Sequence, residues 1–361
     1  MKRKWSIGLL LVVVLKLGVS EAQAQTVKIT PLGQRTGDFC AGDRAMLFED
    51  PTGVRILYDP GNTIAGATDP RLGVIHAVLL THAHGDHLGA SRLNQDPDSP
   101  SAVCTTAPGT PSNNSVVAEI AAAKNSVAVA GTTLASWLST RIAAELGAAS
   151  TAACPASGLT NEVVVPRTSP CTANLSMGGK RTIRMNSATQ GVQVAAVRAD
   201  HGNELAAAFA NDPEKTNLAG SALSGYLGVA NGFILTFTNG LTVYLSGDTG
   251  FFSEMATVVN NYYRANLAVV NVGDIFTIGP DEGAFAVLNM IKPVAVIPSH
   301  VNEAATSGGV LNPTSRTARF VNLLAPGIPF PNFYRKVSVY IPVSGNTMEF
   351  EGSAQCRAGC P

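Results

Sequence analysis

The stretch Thr81-His82-Ala83-His84-Gly85-Asp86-His87-Leu88-Gly89 places three imidazoles and one carboxylate within six residues. It follows the nearly continuous apolar run 74–80, which predicts a strand buried on both faces. Residues two apart at a strand end point the same way, so we expect His82 and His84 to converge on one metal ion. Gly85 lets the chain turn, which aims Asp86 and His87 at a second ion. Imidazole and carboxylate ligands favour Zn²⁺, with Mn²⁺ and Fe²⁺ as alternatives.

Three further candidate ligands follow other strand-like runs. His201 comes shortly after the run 192–197, Asp248 after the run 241–245, and His300 after the run 294–297. Each would be an ordinary loop or turn residue if taken alone, but their placement after strands favours a role in one site. The sixth histidine of the chain, His76, lies inside an apolar run and is predicted to be a core residue.

The cluster resembles the HxHxDH signature of the metallo-β-lactamase superfamily, and the later ligands follow in the same order. This resemblance assigns the first ion to His82, His84 and His201, the second to Asp86, His87 and His300, and a bridging position to Asp248. It implies a four-layer αβ/βα metallo-β-lactamase sandwich that holds two divalent ions.

Four segments are similar to the L-ascorbate-6-phosphate lactonase-like branch of that superfamily: residues 174–179, 244–255, 272–280 and 291–300. The middle of the chain is longer than is usual for that branch. The predicted export signal and the six cysteines are further departures, and they leave the substrate open.

The resemblance implies a hydrolase. Two divalent ions lower the pKa of bound water, so that hydroxide bridging them can attack a carbonyl or phosphoryl centre. Asp86 or Asp248 would carry the proton. An aspartate at the bridging position is similar to lactonases, glyoxalase II and phosphodiesterases, whereas β-lactamases usually carry Cys or Ser there. We therefore expect a lactone, ester or related acyl substrate. A phosphodiesterase or phospholipase-D-like hydrolase, a β-lactamase and a non-catalytic exported metal-binding protein are the alternatives.

Composition narrows the class of partner. Hydrophobic residues make up 45% of the chain and charged residues 14%, which predicts a sizeable buried core. The chain has 25 Lys and Arg residues and 25 Asp and Glu residues, so it has no net positive charge that would attract nucleic acid. A small-molecule substrate is expected, and the oligomeric state is left open.

Residues 1–24 have the pattern of a secretory signal. A basic start at Lys2 to Lys4 precedes the apolar run 7–15, and Ala22-Gln23-Ala24 is an A-x-A cleavage site. A membrane anchor is the rival interpretation, but the apolar run is too short to span a bilayer. We expect residues 25–361 to form one domain in the periplasm or outside the cell.

Six cysteines remain after cleavage: Cys40, Cys104, Cys154, Cys171, Cys356 and Cys360. An even number in an exported chain favours disulfides, with 15 connectivities open. A metal site is the alternative for Cys356 and Cys360 alone.

Strand-like runs separated by turns and helices predict a mixed α/β sandwich. The runs are 27–29, 45–48, 54–58, 74–80, 192–197, 233–237, 241–245, 267–272 and 294–297, and a helix is predicted over 280–291. Asn239-Gly240 predicts a hairpin. The Ala/Ser/Thr-rich segment of about 94–187, with one or two helices over 116–149, is interpreted as an insertion or cap that forms a lid over the substrate pocket. A solvent-facing embellishment held by Cys154 and Cys171 is the alternative.

Overall fold

Two mixed eight-stranded sheets face each other in the computed structural model, which describes residues 25–104, 109–205, 225–325 and 336–360. The predicted signal at 1–24 lies outside these ranges. Along the first sheet the strands are β22 (Cys356–Ala358), β21 (Met348–Phe350), β1 (Val27–Pro31), β2 (Met46–Glu49), β3 (Arg55–Tyr58), β4 (Ala77–Leu79), β7 (Val127–Ala130) and β9 (Cys171–Asn174). Along the second they are β20 (Ser338–Val339), β17 (Ala295–Ser299), β16 (Leu267–Asn271), β15 (Thr242–Leu245), β14 (Asn231–Thr236), β11 (Val192–Arg198), β10 (Lys180–Met185) and β8 (Glu162–Val165).

Helices cover the outer faces of both sheets. They are α1 (Gly85–Leu88), α2 (Val116–Ala123), α3 (Thr132–Glu145), the π-helical α4 (Met255–Tyr262), α5 (Pro280–Phe285) with a π-helical continuation (Ala286–Ile291), and α6 (Arg316–Leu324). A 3₁₀ turn spans Gly61–Thr63. Three small hairpins pair β5 (Ser91–Leu93) with β6 (Gly109–Pro111), β12 (Glu204–Leu205) with β13 (Gly225–Tyr226), and β18 (Thr306–Ser307) with β19 (Val310–Leu311).

Strand β4 shows how the sequence builds these layers. Ala77 and Leu79 face the core between the two sheets, whereas Val78 faces the core beneath α2 and α3. Both faces of the strand are buried, which explains the nearly continuous apolar run. Strand β16 alternates in the same way, with Leu267 facing inward and Ala268 outward. The predicted four-layer αβ/βα sandwich is confirmed.

The sequence-based strand positions agree well with the structure. Each of the nine predicted runs contains or overlaps an observed strand, and the helix predicted over 280–291 is present as α5 and its continuation. The Asn239-Gly240 turn joins β14 to β15, with Gly240 at φ +92°. Within the described ranges, no helix is long and apolar enough to cross a membrane.

The interpretation of 94–187 as a cap outside the core is wrong. Strands β7 and β9 extend the first sheet beyond β4, and β8 and β10 form one end of the second sheet. Val129 and Ile183 are fully buried in the core between the sheets. The two expected helices do form, but the chain between them is strand β7, because its alternating Val and Ala side chains fit a sheet position buried on both faces.

All six cysteines are paired in the structure. The disulfides are Cys40–Cys104, Cys154–Cys171 and Cys356–Cys360. The first joins the segment before β2 to the loop between β5 and β6. The last is a disulfide, so the alternative of a metal site at that pair does not hold.

Candidate metal centre

The seven predicted ligands meet at one edge of the two sheets. His82, His84, Asp86 and His87 lie in the loop and short helix that follow β4. Helix α1 begins directly after His84 and ends at Leu88; it is capped by Gly89, whose φ of +77° is left-handed and favours glycine. His201, Asp248 and His300 come after β11, β15 and β17 of the second sheet.

Prospective ligand atoms form three overlapping groups in which all atoms lie within 4.8 Å of one another. The groups are His82, His84 and His201; His82, His87 and Asp248; and Asp86, His87 and His300. The first and third match the two ligand sets implied by the resemblance to the metallo-β-lactamase superfamily, and the second joins them.

The Asp248 carboxylate lies between the two sets. Its Oδ2 is 3.9 Å from His82 Nε2 and 3.8 Å from His201 Nε2. The same oxygen is 3.3 Å from His87 Nε2 and 3.0 Å from His300 Nε2. One carboxylate therefore contacts imidazoles of both sets, as a bridging ligand requires.

Several of these atoms are buried without a hydrogen-bond partner. Among the described residues they include His82 Nε2, Asp248 Oδ1 and both ring nitrogens of His300. Leaving buried polar atoms unpaired costs free energy unless a ligand satisfies them. Nitrogen and oxygen donors in this number are those that divalent ions such as Zn²⁺ prefer. The residues fit a divalent metal centre.

Asp59 and Thr81 orient two of the imidazoles. His87 Nδ1 lies 2.8 Å from Asp59 Oδ2, and His82 Nδ1 lies 2.9 Å from Thr81 Oγ1. Thr81 in turn donates its hydroxyl to Asp59 at 2.7 Å and its backbone N–H at 2.9 Å. Such partners fix the ring orientation of metal-binding histidines. Asp59 was not among the predicted site residues; its position directly after β3, level with the end of β4, was the available signal.

Asn203 connects the ligand-bearing loop after β11 to the one after β4. Its Oδ1 accepts a hydrogen bond from the backbone N–H of Ala83 at 2.7 Å, and its amide donates to the carbonyl of Leu227 at 3.1 Å. Next to it, Glu204 Oε2 lies 3.5 Å from His84 Nε2. Neither residue was predicted, because nothing in their local sequence distinguishes them from loop residues.

Arg44 reaches the same centre from the segment before β2. Its Nη1 donates to Asp86 Oδ2 and lies 2.8 Å from His87 Nε2. Its Nε donates to the carbonyl of Gly42 at 3.1 Å. The side chain is 5% exposed, so the guanidinium is held inside the site. Arg44 was not among the predicted site residues, because it lies almost forty residues before the histidine cluster.

The charges act on one another strongly here. Burial raises the pKa of the Asp248 carboxyl, but His87 and His300 outweigh burial and hold that pKa well below its usual range. Burial lowers the pKa of His87, but Asp248, Asp59 and Asp86 outweigh it and raise that pKa to about 10. For His82 and His201 burial prevails and lowers the pKa, which favours the neutral imidazole that binds metal.

His76 has the role that the sequence predicted. It is buried directly before β4, and its Nδ1 accepts a hydrogen bond from the backbone N–H of Arg55 at 3.0 Å. It belongs to none of the three groups of prospective ligands.

The family model described as "Beta-lactamase superfamily domain" matches residues 41–300. That range covers most of the chain and contains all seven candidate ligands. The chain belongs to the metallo-β-lactamase superfamily. Within this superfamily, it is 27% identical over 314 residues to a UPF0173 metal-dependent hydrolase of Cupriavidus necator, covering 83% of this chain and 88% of that protein. It is 29% identical over 265 residues to a UPF0173 metal-dependent hydrolase of Cupriavidus metallidurans, covering 72% and 70%.

Among solved structures, a metallo hydrolase of Ignicoccus hospitalis is similar with a TM-score of 0.49 and 20% identity, covering 90% of this chain and 99% of that one. The family match and the relatives agree with the residues of the site. This member of the superfamily is a metal-dependent hydrolase.

Proposed function

We propose that the chain is an exported hydrolase that uses two divalent ions, Zn²⁺ in the first instance, to cleave a lactone, an ester or a related acyl compound. The position of Asp248 carries this proposal. Its Oδ2 lies within 3.9 Å of imidazole nitrogens from two histidines of each ligand set. A bridging carboxylate that serves two ions accounts for this arrangement.

Bound divalent ions would lower the pKa of water and polarise the substrate carbonyl. The two predicted proton carriers then differ in access to solvent. The Asp86 side chain is 42% exposed, whereas that of Asp248 is 5% exposed. Asp86 is therefore the better placed to exchange a proton with substrate or solvent, and Asp248 holds the imidazoles in place.

A cavity of about 610 Å³ opens beside Asp86 and Arg44. Its other described walls are small or polar and include Gln34, Asn62, Thr63, Ser91 and Asn302. These walls favour a compact polar substrate over a long acyl chain. The Arg44 guanidinium in the wall favours phosphodiester hydrolysis as the second candidate function, because guanidinium groups bind phosphate oxygens well.

The test is a substrate panel on metal-loaded residues 25–361. Lactones, short esters, phosphodiesters and β-lactams are assayed together, with the Asp248→Asn protein as the negative control. Hydrolysis of lactones or esters that depends on Asp248 supports the proposal. Preference for phosphodiesters supports the second candidate, and a metal-loaded protein inert on the whole panel contradicts both.

Membership of the L-ascorbate-6-phosphate lactonase-like branch is part of the same proposal. It is supported by the four similar segments, two of which contain Asp248 and His300. Hydrolysis of phosphorylated lactones faster than of neutral lactones would support it, and the reverse preference would count against it.

Export to the periplasm or the medium is proposed from the signal pattern with cleavage after Ala24. The three cysteine pairs support it, because disulfides persist in oxidising compartments. N-terminal sequencing of the native protein should find Gln25 first. Non-reducing peptide mapping should find Cys40–Cys104, Cys154–Cys171 and Cys356–Cys360. Six free thiols in protein from its native compartment would contradict both export and pairing.

A further inference from the structure

The two ligand sets differ in the side chains that contact their prospective ligand atoms. In the first set, His82 Nε2 is buried without a hydrogen-bond partner. His201 Nε2 lies 3.2 Å from His84 Nδ1, so these two atoms contact one another, and both belong to prospective ligands. Among the described residues, no Lys or Arg side chain lies within hydrogen-bond distance of these three imidazoles.

The second set is in contact with a cation. Arg44 Nη1 contacts Asp86 Oδ2 and His87 Nε2, the latter at 2.8 Å. These two atoms also face His300, the third member of the second set, and the predicted bridging ligand Asp248: Asp86 Oδ2 is 3.6 Å from His300 Nε2, and His87 Nε2 is 3.3 Å from Asp248 Oδ2. An ion that uses both atoms must therefore separate them from Arg44 or bind beside a buried positive charge.

We infer that Arg44 makes the two ion positions unequal, so that the first position binds its ion much more tightly than the second. This inference rests on the two-ion site of the proposed function. A divalent ion close to a buried guanidinium is repelled by it, and little water is present to screen the repulsion. The Asp86 carboxylate, which would attract the second ion, already forms an ion pair with Arg44.

The charge balance leads to the same result. The carboxylates of Asp59, Asp86 and Asp248 all contact the imidazole cluster, and Arg44 offsets one of them. With neutral imidazoles, one divalent ion then neutralises the remaining two negative side-chain charges. A second ion adds positive charge to a buried site, and a bound hydroxide offsets only half of it. Glu204 is the other acid near the first set, but its side chain is 49% exposed and solvent screens it.

Arg44 also has a place to move. It lines the cavity beside Asp86, so its guanidinium can turn toward solvent when the second position is filled. Binding of the second ion would include this movement, which is a cost that the first ion does not meet.

The experiment is a titration of metal-free protein with Zn²⁺ by calorimetry, repeated with Co²⁺, whose absorption spectrum reports coordination. The wild-type protein should bind one ion tightly and a second at least about tenfold more weakly, on the scale by which neighbouring residues tune metal sites. Arg44→Met should bring the two affinities together by strengthening the second. Arg44→Lys, which keeps the charge, should preserve the difference.

Arg71→Met is the matched control. Arg71 is also largely buried and pairs with a carboxylate, Asp69, at 2.7 Å, but it contacts none of the seven ligands. Its replacement should leave the wild-type binding curve unchanged.

Several outcomes would overturn the inference. Two equal affinities in the wild-type protein would do so without any variant, which covers the case that Arg44→Met does not fold. A weaker second ion in Arg44→Met would mean that Arg44 supports the position, and a single ion in both proteins would mean that the second position is not a site. A wild-type protein that binds no ion would instead contradict the proposed function.

Discussion

The two halves of the molecule supply metal ligands in different ways. The first half supplies four from one loop after β4, and side chains orient their rings: Thr81 contacts His82, and Asp59 contacts His87. The second half supplies three ligands from the ends of three separate strands. There His300 Nδ1 is buried without a hydrogen-bond partner, and the residue has a left-handed φ of 48°. A hydrogen-bond network holds the first group, whereas strand ends and backbone conformation place the second.

The largest effect is expected at Asp248, the one ligand from the second half that contacts both sets. Asp248→Ala should reduce kcat/KM by more than about 100-fold, because loss of a ligand exceeds the 10–100-fold typical of residues behind the ligands. His76→Asn is the control, since that imidazole only accepts a backbone hydrogen bond. Both variants are assayed on the best substrate of the panel. Comparable losses of kcat/KM would mean that Asp248 is not a ligand of the metal centre.

Removal of metal should lower the stability of the protein, because ligands that join its two halves are released. Each proposed ion takes ligands from both sheets, so a chelator should lower the melting temperature of the wild-type protein. At a free-ion concentration of 100 to 1,000 times Kd, the lost stabilisation is about 3–4 kcal/mol for each ion removed. Calorimetry with and without chelator measures it, and Asp248→Ala should show a smaller difference. If the wild-type curves coincide, the ions do not join the two halves.

Asp59 tests the network in the first half. Asp59→Asn should weaken metal binding by about 10–100-fold, because the carboxylate that orients His87 is lost. Asp50→Asn is a matched control: this buried acid follows β2 and binds Thr238, but it touches no ligand. Asp50→Asn should lower the melting temperature and leave metal affinity unchanged. An equal loss of affinity in the two variants would mean that Asp59 acts only through the fold.

Gly273 tests the backbone placement in the second half. A Cβ atom there would lie 2.4 Å from the carbonyl oxygen of His300 and 3.3 Å from its Nδ1. Gly273→Ala should therefore displace His300 and reduce activity on the order of tenfold, below the about 100-fold that a full ångström of misplacement can cost. At Gly225 the nearest atom would be 3.8 Å away, so Gly225→Ala is the control. A Gly273→Ala protein with wild-type activity would contradict this prediction, because His300 would then tolerate the added methyl group.

The same contrast explains what could be predicted. The four ligands of the first half form one pattern, and Asp248 and His300 were found because each comes three residues after the end of an apolar run. Asp59 and Arg44 were missed because only the folded sheets bring them to the cluster. Neither belongs to a local pattern of ligands, and the charge of Arg44 alone does not indicate burial.

Strands β7 and β9 show a second limit of prediction from the sequence. Val127-Ala128-Val129-Ala130 is short and lies between helix-forming stretches, so it is easily taken for a break within a helix. Cys171-Thr172-Ala173-Asn174 has little intrinsic preference for a strand. It becomes one by pairing with β7, and the Cys154–Cys171 disulfide ties it to the neighbouring loop. Both segments become strands because they pair with neighbouring strands in the folded protein.

The order of strands in the first sheet has a consequence for how the protein folds. Strand β1 lies between β2 and β21, and Thr26 donates to Glu349, a residue 323 positions later. Until the last segment of the chain is available, β1 is an open edge with unpaired backbone groups, which is where strands of other molecules add on. Contacts so distant in sequence form slowly. A chain that ends before β21 would therefore keep all seven ligands and still aggregate, so that the final two strands protect a site to which they contribute no atom.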